Sequence, residues 1–395
     1  MSGTLSNIYS NVSFALQLHT EALARLQEQA STGARVNRAS DDPSGAYQIL
    51  GQNSQERLLG NYIDGLCEAV NTLGLSSTAI EDVMSQIVEV KTRLTQISSG
   101  IYGQEQRKLI AQGINDALEH IVLLANTKRA GQYLFGGSDT DSPPYVAERT
   151  DGKITAVTYN GSLEQRNVEA APGVQSSSFY VGDNIFRSNE RGDPVFLGDT
   201  GAKAGTGTSS VRGDVWLTVI HDGSNYKLSI DDGASYVIVP AGGDVNQAVT
   251  DSRTKRILYV DSTEITSTGV DLVRIPGTYD IFHTLVTIRD MLENDRGLSE
   301  AQLQGLLINS LNSLDEVGGL LVRAQVSVGS RIGFLDDLKD SLQKLQYDAQ
   351  DEAARVQEAD IAQVAIDLSR REVLYQMSLS VAAKIMSMSL LDFIA

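Results

Sequence analysis

The chain has few of the residues on which catalysis, metal binding and covalent cross-linking depend. One cysteine, Cys67, occurs in 395 residues, so no intrachain disulfide bond can form. Its place in a helical pattern predicts a small buried apolar residue. None of the four histidines has a second histidine or a cysteine at a metal-ligand spacing, and neither His-Glu-x-x-His nor Gly-x-Ser-x-Gly occurs. We therefore predict that the chain is not an enzyme and has no catalytic residue, metal site or cofactor.

Positive charge is also scarce, and the formal net charge is -18. A surface of this sign repels phosphate backbones and anionic lipids, so we predict no nucleic-acid partner. The apolar C-terminal segment is interrupted by Gln376, Lys384 and Asp392, which favours a partner-facing helix over membrane insertion. Residues 1–26 lack a basic region followed by an uninterrupted apolar stretch, so we expect no cleavable secretory signal.

Proline is confined to the middle of the chain, where six of the seven prolines lie between Pro143 and Pro276. Because proline breaks helices and marks turns, this distribution predicts two helical arms around a β-rich centre. Asp-Gly pairs between alternating apolar runs predict hairpins in that centre. The predicted hairpin strands are residues 145–149 with 154–159 and residues 216–221 with 226–230, followed by a strand at 236–239.

Both arms contain apolar side chains at seven-residue spacing, as in the seam of a coiled coil. The predicted fold class is therefore α+β: an elongated antiparallel helical bundle or coiled coil formed by both chain ends, with a β-rich central insert. The first seam contains Leu66, Leu73, Ile80, Ile87 and Leu94, with Ala69, Ser76, Val83, Val90 and Ile97 three residues after each. The second contains Leu321, Val328, Leu335 and Leu342, with Ala324, Arg331, Leu338 and Leu345.

The two chain ends have apolar stripes of their own, which step by threes and fours. A lone helix cannot bury such a stripe, so the two ends must pack on each other or on neighbouring copies. We predict that these stripes form an assembly interface. Its residues are Leu5, Ile8, Val12, Ala15, Leu26, Ile361, Val364, Leu368, Leu374, Met377, Val381, Ile385, Met388 and Leu391.

A short connector follows the first terminal stripe. Gly33 is placed to close the first helix, and Asp42 to cap a second helix that has Pro43 at its first position. We predict an interdomain hinge at Gly33, Asp41, Asp42 and Pro43. The predicted domains are residues 1–40 with 356–395 for assembly, 41–140 with 280–355 for the helical core, and 141–279 for the β-rich insert.

Two weaker patterns suggest other functions. Residues 201–207 (GAKAGTG) resemble a phosphate-binding loop but lack the following Lys-Ser/Thr and helix, which favours a flexible surface loop. Arg-Gly-Asp occurs at 191–193 and at 212–214, and cell-surface receptors recognise this tripeptide. An adhesin-like binding module therefore stays open as an alternative.

Three segments resemble the flagellin superfamily of bacterial flagellar proteins. Residues 31–46 (STGARVNRASDDPSGA) are similar to the stretch that joins terminal and core domains in that superfamily. Residues 123–145 (LLANTKRAGQYLFGGSDTDSPPY) and 279–285 (YDIFHTL), with the C-terminal MSLLDFIA, are more similar to its branch of hook–filament junction proteins. The resemblance covers residues 1–145 and 278–395, and flagellin or another hook-associated protein is the alternative.

The resemblance implies a location and a set of partners. It implies a structural subunit of the extracellular flagellum, exported through the flagellar type III channel with a dedicated chaperone. Copies of the chain would form a ring, with a hook-associated protein on the hook side and flagellin on the filament side. Such a subunit would be required for filament assembly and motility.

Overall fold

The structure is a computed structural model that describes residues 2–98 and 103–394. Long helices occupy both ends of the chain, and short strands fill the centre, as the predicted α+β class requires. The described helices are α1 (Ser2–Thr32), α2 (Pro43–Ser98), α3 (Gln104–Ala125), α4 (Gly182–Phe186), α5 (Ile281–Glu293), α6 (Glu300–Gln357) and α7 (Ile361–Ile394).

The strands form small antiparallel sheets. The strands are β1 (Lys128–Arg129), β2 (Gln132–Tyr133), β3 (Tyr145–Thr150), β4 (Lys153–Tyr159), β5 (Asn167–Ala171), β6 (Val174–Ser177), β7 (Val195–Leu197), β8 (Lys203–Ala204), β9 (Gly213–His221), β10 (Tyr226–Ser229), β11 (Val237–Ile238), β12 (Gln247–Thr250), β13 (Ile257–Asp261) and β14 (Gly269–Ile275). Five of them make one sheet in the order β11-β10-β9-β14-β7. Three more make a sheet in the order β12-β13-β8, and the others pair as β1-β2, β3-β4 and β5-β6.

Two compact units divide the chain. The first contains residues 1–65 and 337–395, and the second contains residues 66–336. α2 and α6 each contribute to both units. The boundaries between the two units lie inside those helices. The three-domain organisation therefore remains a prediction.

The first heptad seam, and the second as far as Leu335, lie in the second unit. There α2 and α6 run antiparallel, because Gln325 Nε2 donates to Ser77 Oγ at 2.7 Å and Lys91 pairs with Asp315 further along. All five predicted positions from Leu66 to Leu94 on the first seam are buried, and so are Leu321, Val328 and Leu335 on the second. The heptad prediction is therefore confirmed for these residues. In the first unit, Leu342 is buried but Leu345 is 48% exposed, so the seam prediction was wrong at Leu345.

Both predicted hairpins are confirmed. β3 pairs with β4 around the Asp151-Gly152 turn, where Asp151 and Gly152 both have positive φ. β9 pairs with β10 across Asp222-Gly223, and β11 adds the third strand. Residues 201–207 contain β8, which pairs with β13, so they are not the predicted flexible loop.

The five-stranded and three-stranded sheets enclose one apolar core, to which side chains from β9, β10, β12, β13 and β14 contribute. The neighbouring strands β7 and β14 pair at Val195 and Arg274, so the chain enters and leaves this two-sheet region at adjacent points. The region is therefore a compact insertion between two places that are close together in space.

Two of the segments that carry the family resemblance, residues 123–145 and 279–285, meet in an aromatic cluster. Phe135 and Phe186 have ring centroids 5.2 Å apart, and Tyr145 and Phe282 have centroids 4.8 Å apart. Gly136 follows Phe135 at a crowded site, where an added Cβ would lie 2.0 Å from the Asp139 carbonyl oxygen. The phenylalanine of the Phe-Gly-Gly sequence is thus explained by its packing against other aromatic rings. The glycine after it is explained by a backbone contact that leaves no room for a side chain.

Candidate assembly surface

The two terminal helices, α1 and α7, pack against each other. They run antiparallel, because Ala359 N donates to Gly33 O at 2.9 Å near one end, and Arg371 Nη1 lies 3.4 Å from His19 Nδ1 further along. This pairing covers one face of each helix, as the terminal stripes require.

The covered face of α1 is a regular stripe of half-buried residues, as expected for one side of a helix packed on a single partner. Val12, Ala15 and Leu26 of the predicted interface lie in this stripe. On α7, Val364 is buried and Leu368 is half-buried. The stripe on α1 consists of residues 12, 15, 16, 19, 22, 23 and 26.

The opposite face of α7 is open and bears several apolar side chains among charged ones. Met377 and Val381, both in the predicted interface, are 61% and 52% exposed, and Leu374 beside them is also exposed. Ile366 and Val373 share this face but were missed by sequence reasoning. Their signal was the i, i+7, i+11, i+15 spacing of residues 366, 373, 377 and 381, which we name the outer face of α7.

α1 contributes exposed apolar side chains as well. Phe14 lies on the side of α1 away from its covered stripe and Leu18 lies at the edge of that stripe, and both are exposed. Ile361, at the start of α7, is exposed too. Leu5, Ile8, Ile385, Met388 and Leu391 lie on the same two helices, but their side chains fall outside the described part of the structure.

In the isolated chain, these exposed side chains do not contribute the free energy that their burial would provide. Complete burial of a Val, Ile, Met or Phe side chain contributes about 1.5–3 kcal/mol. Several exposed apolar side chains on one helix face favour a site of association. The geometry therefore supports two roles: one stripe pairs α1 with α7, and the outer face is available to another molecule.

The connector between α1 and α2 has the predicted local structure. Gly33 follows the end of α1 with φ +71°, a conformation that glycine adopts without strain. Asp42 Oδ1 accepts a hydrogen bond from Gly45 N at 2.9 Å, which caps α2 at Pro43. The predicted helix end and helix cap are confirmed, and the hinge role of these residues remains a proposal.

Ion pairs fasten this connector. Asp41 accepts from Arg25 Nε at 3.1 Å and from Arg38 N at 2.9 Å, and Arg35 Nη1 donates to Asp42 at 3.0 Å. The hydrogen bond from Arg25, followed by that from Arg38 N, holds the pKa of Asp41 below its ordinary value. Arg35 Nη2 also donates to Val356 O at 3.0 Å, which ties the connector to the end of α6.

The structure also shows the surroundings of Cys67 and of the two Arg-Gly-Asp triplets. Cys67 is exposed, so the prediction of a buried residue was wrong. Asp214 of the second Arg-Gly-Asp triplet is 3% exposed and pairs with Arg274, so this triplet cannot present its carboxylate to a receptor. Arg191 of the first triplet donates to Val211 O at 2.8 Å.

Among the described residues, no cluster of three or more His, Cys, Asp or Glu side chains could hold a metal ion. Within the same residues, no helix has both the length and the hydropathy that a membrane crossing needs.

Comparison with known proteins confirms the resemblance to the flagellin superfamily. Residues 6–140 match the family model of the bacterial flagellin N-terminal helical region. The chain is 29% identical to flagellar hook-associated protein 3 of Escherichia coli over 168 residues, which cover 41% of this chain and 49% of that protein. It is 24% identical to flagellin B of Helicobacter pylori over 319 residues, covering 77% of this chain and 54% of that protein. The chain thus spans about half the length of these curated relatives.

A solved structure shows the same fold at low sequence identity. The flagellar junction protein FlgL of Legionella pneumophila superposes with a TM-score of 0.50 at 18% identity, covering 80% of this chain and 100% of that one. The chain is therefore similar in sequence to flagellar hook-associated protein 3 and similar in fold to a flagellar junction protein.

Proposed function

We propose that this chain is a structural adaptor of the bacterial flagellum, which joins the hook to the flagellin filament and is required for filament assembly and motility. The observation that carries the proposal is the outer face of α7, with Phe14 and Leu18 on α1. It is an apolar surface on the terminal helices that the chain itself leaves exposed. The similarity to hook-associated protein 3 supports the same role.

The proposed mechanism is burial of this face between subunits. Copies of the chain would form a ring in which each copy covers the outer face of the next. A neighbouring hook-associated protein would lie on the hook side, and flagellin on the filament side. Burial of each apolar side chain contributes about 1.5–3 kcal/mol. Burial of several such side chains in every subunit would together outweigh the free-energy cost of the orientational freedom that is lost on association.

The proposal assigns a role to each predicted domain. Residues 1–40 with 356–395 would form the assembly domain, residues 41–140 with 280–355 the helical core, and residues 141–279 the outward-facing insert. Gly33, Asp41, Asp42 and Pro43 would set the angle between the first two. The chain would act without catalysis, outside the cell, after export with a dedicated chaperone.

Flagellin itself is the second candidate, because the match to flagellin B covers 77% of this chain. A deletion strain separates the two. Loss of an adaptor leaves hooks intact and releases flagellin unattached into the medium, whereas loss of flagellin leaves hooks with no free flagellin. Electron microscopy of the cells with immunoblotting of the medium reads both results. Normal filaments in the deletion strain would contradict both candidates.

A further inference from the structure

Three arginines from separate segments of the β-rich insert come together at its surface. Arg191 precedes β7, Arg212 precedes β9 and Arg256 precedes β13. Arg191 is exposed and the other two are half-buried. Arg191 Nη1 donates to Val211 O at 2.8 Å, so its guanidinium lies beside the residue that precedes Arg212. We name these three residues the arginine cluster.

Backbone hydrogen bonds bring the other two arginines together. Ser210 N and Val211 N both donate to Ile257 O, at 2.7 and 3.3 Å. Arg212 follows one side of this contact and Arg256 precedes the other side, so the two residues are neighbours across it. Neither guanidinium donates a hydrogen bond within the described part of the chain. The nitrogens of both side chains are therefore available to a ligand.

The carboxylates around the arginine cluster do not neutralise it. Among the described residues, no carboxylate lies within ion-pair distance of its guanidiniums, including the two that flank Arg191 in the sequence. Asp280 and Asp251 act on Arg256 from further away. Asp280 accepts instead from Arg187 Nη2 at 2.9 Å, and Asp251 accepts from the hydroxyl of residue 254 at 2.7 Å.

The pKa values of two arginines show the excess of positive charge. Burial, followed by the charge of Arg212, lowers the pKa of Arg191 below its ordinary value. Burial, followed by the charges of Arg212 and Arg187, lowers the pKa of Arg256, although the two carboxylates named above oppose this shift in part. The whole chain has a formal net charge of -18, so the arginine cluster is a local reversal of sign. Such a site attracts anions.

We propose that the arginine cluster binds a tetrahedral oxyanion, phosphate or sulfate. Guanidinium groups form charge-assisted hydrogen bonds with oxyanions, often two from one fork. A phosphate group near pH 7 has about two negative charges and at least three acceptor oxygens, so it can serve donors that approach from three segments. A carboxylate has only two oxygens and one charge. The inference goes beyond the adaptor function and gives the arginines of both Arg-Gly-Asp triplets a role.

The test is isothermal titration calorimetry of the full purified chain with sodium phosphate or sodium sulfate, at pH 7 in a phosphate-free buffer of constant ionic strength. We expect one saturable site per chain. Arg212→Gln and Arg256→Gln should each weaken binding about tenfold or more, because each removes charge-assisted hydrogen bonds. Arg166→Gln is the matched control, since Arg166 is an exposed arginine of the insert on the loop before β5, and its binding should equal that of the wild type.

Two further probes define the ligand. Heparin, a sulfated polysaccharide, distinguishes a sulfate group carried on a polymer from the free anion. Binding of heparin more tightly than inorganic sulfate, with the difference lost in Arg212→Gln, would support a polymer-borne group, and equal binding would support the free anion. Sodium acetate that displaces phosphate at equal concentration would overturn the proposal in favour of a carboxylate. The absence of saturable binding of either oxyanion, or equal binding by the wild type and Arg212→Gln, would also overturn it.

Discussion

Asp271 lies inside the β-rich insert, 1% exposed, where the Thr200 hydroxyl donates to its Oδ2. Its Oδ1 has no partner among the described residues. Burial raises the pKa of Asp271 above its ordinary value of 3.8, and the hydrogen bonds from Thr200 oppose that shift only in part. A carboxyl with a raised pKa favours the folded state most when it is protonated.

The sign of the pH dependence follows from this. The stabilisation from Asp271 is fully present below the unfolded pKa, near 3.8, and is lost as the pH rises through the higher folded pKa. We expect Asp271→Asn, which removes the charge, to unfold at a higher temperature than the wild type at pH 7 and at the same temperature near pH 3. Calorimetry across this range measures the difference. A variant less stable at pH 7 would show that the charged form is well solvated or paired.

At the scale of elements, two neighbouring leucines of α2 differ in burial, because only one of them lies on the heptad seam. Leu73 is fully buried, whereas Leu75, two residues on, is 37% exposed. We expect Leu73→Ala to lower the free energy of unfolding by about 2–5 kcal/mol, because it removes buried methyl groups and leaves a cavity. Leu75→Ala is the matched control and should lower it clearly less, because part of the Leu75 side chain is already in water. Urea denaturation followed by circular dichroism measures both, and equal effects would contradict the assigned seam.

The outer face of α7 permits a charge test of assembly. Val381→Asp places a carboxylate on a face that is open in the isolated chain, so we expect helicity and unfolding temperature to stay near the wild-type values. In an assembly, the same carboxylate would be buried without a partner, at a cost of several kcal/mol in every subunit. Cells with this variant should therefore form no filaments, as judged by electron microscopy.

Ala383→Asp is the control for this variant, because Ala383 is exposed on α7 and is not an i+3, i+4 or i+7 neighbour of any residue of the outer face. It adds the same charge and should leave filaments intact. Filaments of normal number in both variants would mean that the outer face remains in water after assembly.

At the scale of the whole molecule, the two-sheet insertion should be separable from the helical frame. Gly192 N donates to Pro276 O at 2.8 Å, so the two ends of the excised segment are already in contact. We expect a chain in which a short Gly-Ser linker replaces residues 194–275 to remain helical and to support filament growth in the deletion strain. Loss of surface attachment with normal filaments would instead support the adhesin-like alternative, and loss of filaments would assign the insert a role in assembly.

The sequence predicted those parts of the fold whose signals are local. The heptads gave the buried positions of α2 and α6, and the Asp-Gly pairs gave two hairpins, because both patterns depend on residues close in the chain. The pairing of β14 with β9 and β7, and the common core of the two sheets, depend on residues far apart and left no local pattern. The apolar stripes of α1 and α7 were visible, but periodicity alone did not tell which stripe faces α1 and which stays open.

The most direct test of the central claim follows the accessibility of the outer face of α7 before and after assembly. Met377→Cys in a Cys67→Ser background leaves one thiol on this face, since Cys67 itself is exposed. We predict that a maleimide labels this thiol rapidly in the dilute purified chain and at least tenfold more slowly in chains assembled on cells. Equal labelling in both states would show that no neighbour covers the face, and the account of assembly through α7 would then be wrong.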